Sequence, residues 1–309
     1  MIFLNPKIKY YRIRTFGERL NVSFDYLRET WKPLLKFSLY LILPICLIQS
    51  FAINAVMRFS FRMGYDGMEE GFTYFMMHYV VYFLCLLLGS AILGALVYTL
   101  MQVYDRRETR LADLGWTDFK PLLIKNFKKS FHVLLLITAF MFLYAAVMVA
   151  MAILSPWTLI ITVLLLLIAV VVFGVPFTML LPIYLFEDRS LKSSLQKTIK
   201  YGFGAWGEIF LVMFVFGLLA NIISWVTTMP WYILTIVGSI LGLSDGLAGD
   251  IEHQFWYMAL TYTLGIVQSY GVYVSSIITA VGYAFQYFHL CEKREGVSVQ
   301  DSILNFDKL

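Results

Sequence analysis

A chain of 309 residues would make one large or two ordinary water-soluble domains, but 60% of this one is hydrophobic, only 14% is charged and its mean hydropathy is +0.75. Soluble domains are about a quarter charged, so a water-soluble globule is excluded and the solvent must be lipid. A disordered chain, a fibrous repeat and a disulfide scaffold are excluded too, since Cys46, Cys85 and Cys291 cannot all pair and two of them sit inside apolar runs.

A bilayer core of roughly 30 Å needs about 20 mainly apolar helical residues per crossing. Residues 1–33 read as an amphipathic segment with no apolar stretch and no small-residue cleavage site, so the first span is expected to stay as an anchor. That span covers about 34–57 and ends where Arg58 and Arg62 arrive. The second, about 72–103, ends at Asp105-Arg106-Arg107. The third, about 132–154, stops at Ser155-Pro156 and the fourth, about 157–186, starts at once, which makes a hairpin with a two-residue turn. The fifth, about 209–229, is stopped by Pro230. The last apolar stretch, 255–290, would reach roughly 54 Å as a helix. The crossing is therefore placed at about 265–290, with the excess projecting as helix rather than breaking near Gln268-Ser269-Tyr270-Gly271. Residues 231–243 contain Gly238 and Gly242, are short for a span, and are expected to be interfacial or re-entrant. Residues 291–309 form a tail.

Lysine and arginine in short loops stay on the cytoplasmic side, and 22 of the 24 fall in residues 1–36, 104–131, 187–208 and 290–309. Only Arg58 and Arg62 lie elsewhere, whereas Asp66, Glu69, Glu70, Asp245, Asp250 and Glu252 mark the opposite loops. Both termini are expected to be cytoplasmic, in a bacterial inner membrane, and an even count of six spans keeps every basic group on one face. With Cys291 bordering a reducing compartment, no disulfide is expected.

The basic segments resemble one another. After the second span comes Tyr104-Asp105-Arg106-Arg107-Glu108-Thr109 and then Leu111, Leu114, Trp116 and Phe119. After the fourth comes Phe186-Glu187-Asp188-Arg189-Ser190 and then Leu191, Leu195, Ile199 and Trp206. After the sixth comes Cys291-Glu292-Lys293-Arg294-Glu295 and then Val299, Ile303 and Phe306. The amino-terminal segment supplies Leu20, Phe24, Leu27 and Trp31 on one helical face. Such spacing predicts amphipathic cytoplasmic interfacial helices, with Thr109, Ser190 and Ser298 as N-caps and Ser298 with Asp301 as a capping box. The fold class is thus an all-α integral membrane protein, six transmembrane helices as three hairpins, each entered through such a helix. The alternative is that basic amphipathic linkers are common to polytopic proteins and carry no repeat.

The string Leu27-Arg28-Glu29-Thr30-Trp31-Lys32, the order Leu-Pro-x-Tyr-x-x-Glu-Asp-Arg-Ser from Leu181 to Ser190 within the passage from Pro176, and Glu292-Lys293-Arg294-Glu295-Gly296 carry a likeness to a family. They resemble the six-helix membrane-domain group that includes the membrane part of glycerophosphoryl diester phosphodiesterases and related bacterial inner-membrane proteins. The likeness implies architecture over most of the chain. It leaves the enzymatic activity out, since a soluble phosphodiesterase domain is not expected in these residues.

Converging ligands would appear as clustered His, Asp, Glu or Cys, but His78, His132, His253 and His289 are scattered, with no His-x-x-x-His, no Cys-x-x-Cys and no phosphate loop. Neither a metal nor a cofactor is expected. His289 beside Gln286 is either a proton-handling pair or an interface residue. Ser275, Ser276 and Thr279 sit in an apolar helix where hydroxyls usually bond their own backbone. The span interiors hold no charged residue, which lowers the prospect of charge-coupled transport. Their neutral polar residues are Gln49, Asn54, His78, Asn221 and Gln268, candidates either for hydrogen bonds between helices or for a polar cavity that takes a headgroup or small solute. Pro44, Pro176 and Pro182, with Gly174, are expected to bend helices. Ser90, Gly94, Ala91 and Ala95 give the second span a small face for close contact.

These features lead to the expectation of a non-enzymatic lipid-associated or partner-binding scaffold. Its basic collar of Arg106, Arg107, Arg189, Lys192, Lys293 and Arg294 would meet anionic lipid. Expected partners are membrane lipids, and another membrane protein or a second copy. Nucleic acid is not expected, since the cations flank lipid and interleave with acids. The alternative is a transporter or flippase for a lipidic or amphipathic solute.

Overall fold

The computed structural model describes residues 6–62, 72–243 and 254–298. Among them there are helices and no strands: α1 (Phe16–Arg62), α2 (Phe72–Arg106), α3 (Trp116–Leu154), α4 (Pro156–Phe177), α5 (Leu180–Phe186), α6 (Leu191–Gly204), α7 (Trp206–Leu243) and α8 (Phe255–Glu295). Six stretches are long and apolar enough to cross a bilayer: α1, α2, α3, α4 taken with α5, α7 and α8. The chain is an all-α, six-span integral membrane protein. The expected outer acids Asp66, Glu69, Glu70, Asp245, Asp250 and Glu252, together with His253, Val299, Asp301, Ile303 and Phe306, lie outside the described residues.

Helix α1 starts at a reciprocal capping box. Thr15 N and Oγ1 donate to Glu18 Oε2 at 2.7 and 3.0 Å, and Glu18 N returns a bond to Thr15 Oγ1 at 3.4 Å. From there α1 runs unbroken through Pro33 and Pro44, so the amphipathic segment and the first span are one helix. The third hairpin element behaves alike, since α3 begins at Trp116 and carries its basic turns straight into the span. Separate interfacial helices before the first and third spans are therefore corrected. Pro33 and Pro121 each remove only one i to i−4 bond, which leaves the helices continuous, and in lipid opening the backbone further would cost several kcal/mol per unsatisfied group by typical estimates. Only α6 stands apart, separated from α7 by Ala205, whose N–H bonds Gly202 O at 3.4 Å.

Ser155 is the single residue between α3 and α4 and caps the latter by accepting from Trp157 N at 3.2 Å. Thr158 Oγ1 donates back to Met151 O at 2.7 Å, closing the hairpin. The fourth span breaks at Thr178–Met179, as its prolines predict. Pro182 has no N–H for the carbonyl of Thr178, and the turn tightens to Met179 N donating to Pro176 O at 3.0 Å. Pro230, by contrast, does not stop the fifth span. Helix α7 continues through it to Leu243, so residues 231–243 are helix continuous with the span rather than an independent re-entrant segment. One missing N–H costs less in lipid than ending the helix would, and Thr235 Oγ1 donates to Trp231 O at 2.8 Å just beyond the proline. Helix α8 is uninterrupted across Gln268–Gly271, as expected.

Ser190 caps α6, accepting from Ser193 N at 3.4 Å. Thr109 caps nothing; the N-cap of α3 is Gly115, six residues later, whose N–H donates to Asp118 Oδ2 at 3.0 Å. The intervening turn holds Arg110 and Asp113 at positive φ, 56° and 51°. For Arg110 this costs about 1–2 kcal/mol, and its buried ion pair to Glu29, 2.6 Å, holds it there.

The chain forms two compact units. Of the described residues, the first comprises 6–34, 94–217 and 278–298, and the second 35–62, 72–93, 218–243 and 254–277. The first has an aromatic core in which Tyr10 stacks on Phe288 and Tyr104, with Tyr26 and Phe285 edge-on. In it the small face of α2 lets helices close in, since a methyl on Gly94 would meet Ser130 Oγ at 3.3 Å and Leu181 Cδ2 at 3.4 Å. In the second, the Tyr273 ring lies directly over Gly89, where no side chain would fit.

Candidate functional site

The first unit gathers the charge. Near neighbours in sequence and one residue 100 positions away converge on Glu187: Arg189 Nε lies 2.8 Å from Oε2, Lys197 Nζ pairs with Oε1, and the Tyr287 hydroxyl donates to Oε1 at 3.0 Å. The same ammonium reaches Glu295 at 2.6 Å, and the Tyr201 hydroxyl donates to that carboxylate at 2.5 Å. Burial alone pulls the Lys197 pKa down, but the hydrogen bonds to Glu187 and Glu295 outweigh it and leave it raised. Glu187, Cys291 and Glu295 bring their ligand atoms within 4.8 Å of one another, the spacing of a metal centre. Lys197 bonds to both carboxylates of that set, so the protein's own ammonium supplies the cation there.

Two further carboxylates act in the same way. Glu208 meets Lys293 at 2.7 Å, His289 Nε2 at 3.3 Å and Arg19 at 3.5 Å. His289 Nδ1 accepts the backbone N–H of Arg14 at 3.1 Å, and Gln286 Oε1 accepts from Arg19 Nη1 at 2.5 Å, so the proposed His289–Gln286 pair belongs to this cluster and fastens the amino-terminal segment to α8. Asp188, at φ 52°, holds both Lys125 and Lys129 at 2.6 Å, and those bonds press its pKa down to about 2.

The expected collar divides accordingly. Arg107 pairs with Asp118 at 3.5 Å, Arg189 with Glu187 and Lys293 with Glu208. Arg294 donates to Lys200 O at 3.2 Å and lies 4.7 Å over the Tyr201 ring. Arg106 and Lys192 are exposed. The collar is expected to meet anionic lipid; Arg107, Arg189 and Lys293 are also paired with acids of the protein itself. Of those partners, Glu187 stands in the motif after the fourth span, whereas Asp118 and Glu208 are legible only as single acids two residues after Trp116 and Trp206.

The second unit is held by neutral groups. The Tyr273 hydroxyl shares its proton between Gln49 Oε1 at 2.7 Å and Cys85 O at 3.0 Å. Asn54 Oδ1 accepts from Trp231 Nε1 at 3.0 Å while its Nδ2 donates to Ser50 O at 2.8 Å and Thr261 O at 3.4 Å. Ser38 and Tyr270 hydroxyls meet at 2.9 Å. His78 Nδ1 donates one turn back to Tyr74 O at 2.8 Å, and Gln268 Oε1 accepts from Ser269 Oγ at 3.1 Å. Asn221 lies on the exposed face of α7. Of the five polar residues expected to share a cavity, then, Gln49 and Asn54 tie helices together, His78 and Gln268 bond within their own helices, and Asn54 also lines a cavity.

That cavity, about 720 Å³, is bounded by Phe51, Asn54, Ala55, Arg58, Phe59 and Tyr74 on one side and Phe255, Met258, Ala259 and Tyr262 on the other. Comparison with protein-family models, curated proteins and solved structures finds no match. The functional reading therefore rests on the chain's own geometry.

Proposed function

We propose that the protein is a non-enzymatic, lipid-associated or partner-binding scaffold of a bacterial inner membrane, with both termini cytoplasmic. The observation that carries this reading is the cross-linking of polar side chains within the spans: Gln49 to Tyr273, Asn54 to Trp231 and Ser38 to Tyr270. A solute pathway needs polar groups left open to its cargo, whereas satisfied networks rigidify what they join. The distribution of 22 of 24 cations supports the orientation, and the motif likeness to the six-helix group supports the architecture. Arg106 and Lys192 are exposed, which supports them as the collar residues that meet anionic lipid, at about 1 kcal/mol each. For a partner, another membrane protein or a second copy, the α3–α4 hairpin offers the most surface: only 6% of the apolar centre of each helix is buried, against 39% in α1 and 44% in α8.

The alternative, a transporter or flippase for a lipidic or amphipathic solute, draws on the break at Thr178–Met179 and on the cavity. Reconstitution into vesicles carrying fluorescent phospholipid, with dithionite quenching of the outer leaflet, separates the two. A scaffold leaves the lipid exchange rate at that of protein-free vesicles; acceleration would replace the scaffold with the flippase.

A further inference from the structure

The walls of the cavity in the second unit are of two kinds. Phe51, Ala55, Phe59, Phe255, Met258 and Ala259 are apolar, and Phe51 (61% exposed) and Phe255 (82% exposed) leave the groove open to its surroundings. The polar atoms of Asn54 are already engaged by Trp231, Ser50 and Thr261, and the Tyr262 hydroxyl donates to Leu47 O at 3.1 Å. Among the lining residues Arg58 is the only one that is charged. A space of this size is typical of a small-molecule site, and a long apolar wall with one cation complements an amphiphile with one anionic end.

The identity of the cation narrows the ligand. A guanidinium is planar and forks two N–H groups toward a phosphate, where an ammonium is a point charge. Arg58 is also one of only two cations outside the four basic segments, so sidedness gives no reason for a cation there. We propose that this groove binds an anionic phospholipid, its phosphate on Arg58 and an acyl chain along the aromatic wall. The assignment rests on the lipid-associated reading above and names the lipid class.

The test uses the full-length protein, purified and delipidated in detergent, with bound lipid counted by native mass spectrometry. Phosphatidylglycerol and phosphatidylcholine of identical chains are offered separately, and inorganic phosphate is offered alone. Phosphatidylglycerol should be retained about fivefold more than phosphatidylcholine, the ratio that about 1 kcal/mol gives, and phosphate alone should not be retained. Arg58→Gln should erase that ratio, Arg58→Lys should keep part of it, and Ala259→Trp, which fills the groove, should lower retention of both lipids. Equal retention of the two lipids by the wild-type protein overturns the proposal, as does an undiminished ratio in Arg58→Gln, which would assign the preference to cations outside the groove. Retention of phosphate alone would overturn the acyl-chain part. If Arg58→Gln fails to fold, the wild-type ratio and Ala259→Trp decide. A failure here leaves the scaffold reading standing, because that reading falls only on accelerated lipid exchange.

Discussion

Glu187 in the first compact unit and Gln49 in the second each take hydrogen bonds from α8, Glu187 from Tyr287 and Gln49 from Tyr273. One acceptor is a carboxylate that also needs Arg189 and Lys197 around it; the other is an amide that needs no counter-charge. The difference runs through both units. Glu29, Glu187, Asp188, Glu208 and Glu295 organise the first, whereas Gln49, Asn54, Ser38 and Tyr273 organise the second. Charged hubs carry large desolvation costs and hold only while every partner is present. Neutral hydrogen bonds between membrane helices contribute little each, about 0.6 kcal/mol on average, and lose little each when removed.

The sharpest way to break that contrast is at Lys197, whose side chain is 7% exposed between two carboxylates. Lys197→Met should cost about 3–5 kcal/mol, because Glu187 and Glu295 lose the buried ammonium they share and Arg189, the cation left at Glu187, is half exposed. Thermal unfolding in detergent measures it, and adding Glu187→Gln to the same chain should restore part of the loss. A loss no larger than that of the neutral variants below would mean that the charged unit is not held by its charges.

In the second unit the largest effect is expected at Asn54, which joins α1 to α7 and α8. Asn54→Leu should cost about 1–3 kcal/mol, since it leaves the Trp231 indole N–H without its partner. Lipid exchange in vesicles should be unchanged by it. Tyr273→Phe, which removes one shared proton and leaves the ring over Gly89, should cost about 0.6 kcal/mol and at most about 1.7 kcal/mol.

The six spans, the unbroken α8, the kink of the fourth span and the Ser190 cap are legible in the sequence because each depends on residues within one or two helical turns. What is not legible depends on long range. Thr109 has the right local setting for a cap, yet the turn is set by Arg110 reaching Glu29, 81 positions away. Lys293 of the basic collar meets its acid 85 positions away, and Lys197 outside it meets Glu295 at 98. No spacing rule connects such pairs. Pro230 misleads for a different reason: the rule that proline ends helices is calibrated where water can take up the freed carbonyl, and lipid cannot.

The smallest expected effect is the one that separates the two chemistries most cleanly. Asp188 is held at about 2 by Lys125 and Lys129, below its unfolded value of about 3.9. A depressed carboxyl stabilises the fold fully above the unfolded value and loses that contribution as pH falls through the folded one. The stability difference between the wild type and Asp188→Asn should therefore be flat above about pH 5 and vanish between about pH 4 and pH 2. Its side chain is 59% exposed, so solvent screening keeps the effect within the range of surface ion pairs, below about 1 kcal/mol. Raising the salt to about 1 M, where the screening length is about 3 Å, should shrink it further. Tyr273→Phe, which touches no charge, should show the same small loss at every pH and salt concentration. A Tyr273→Phe loss that followed the Asp188 profile would mean that the neutral unit depends on charge after all.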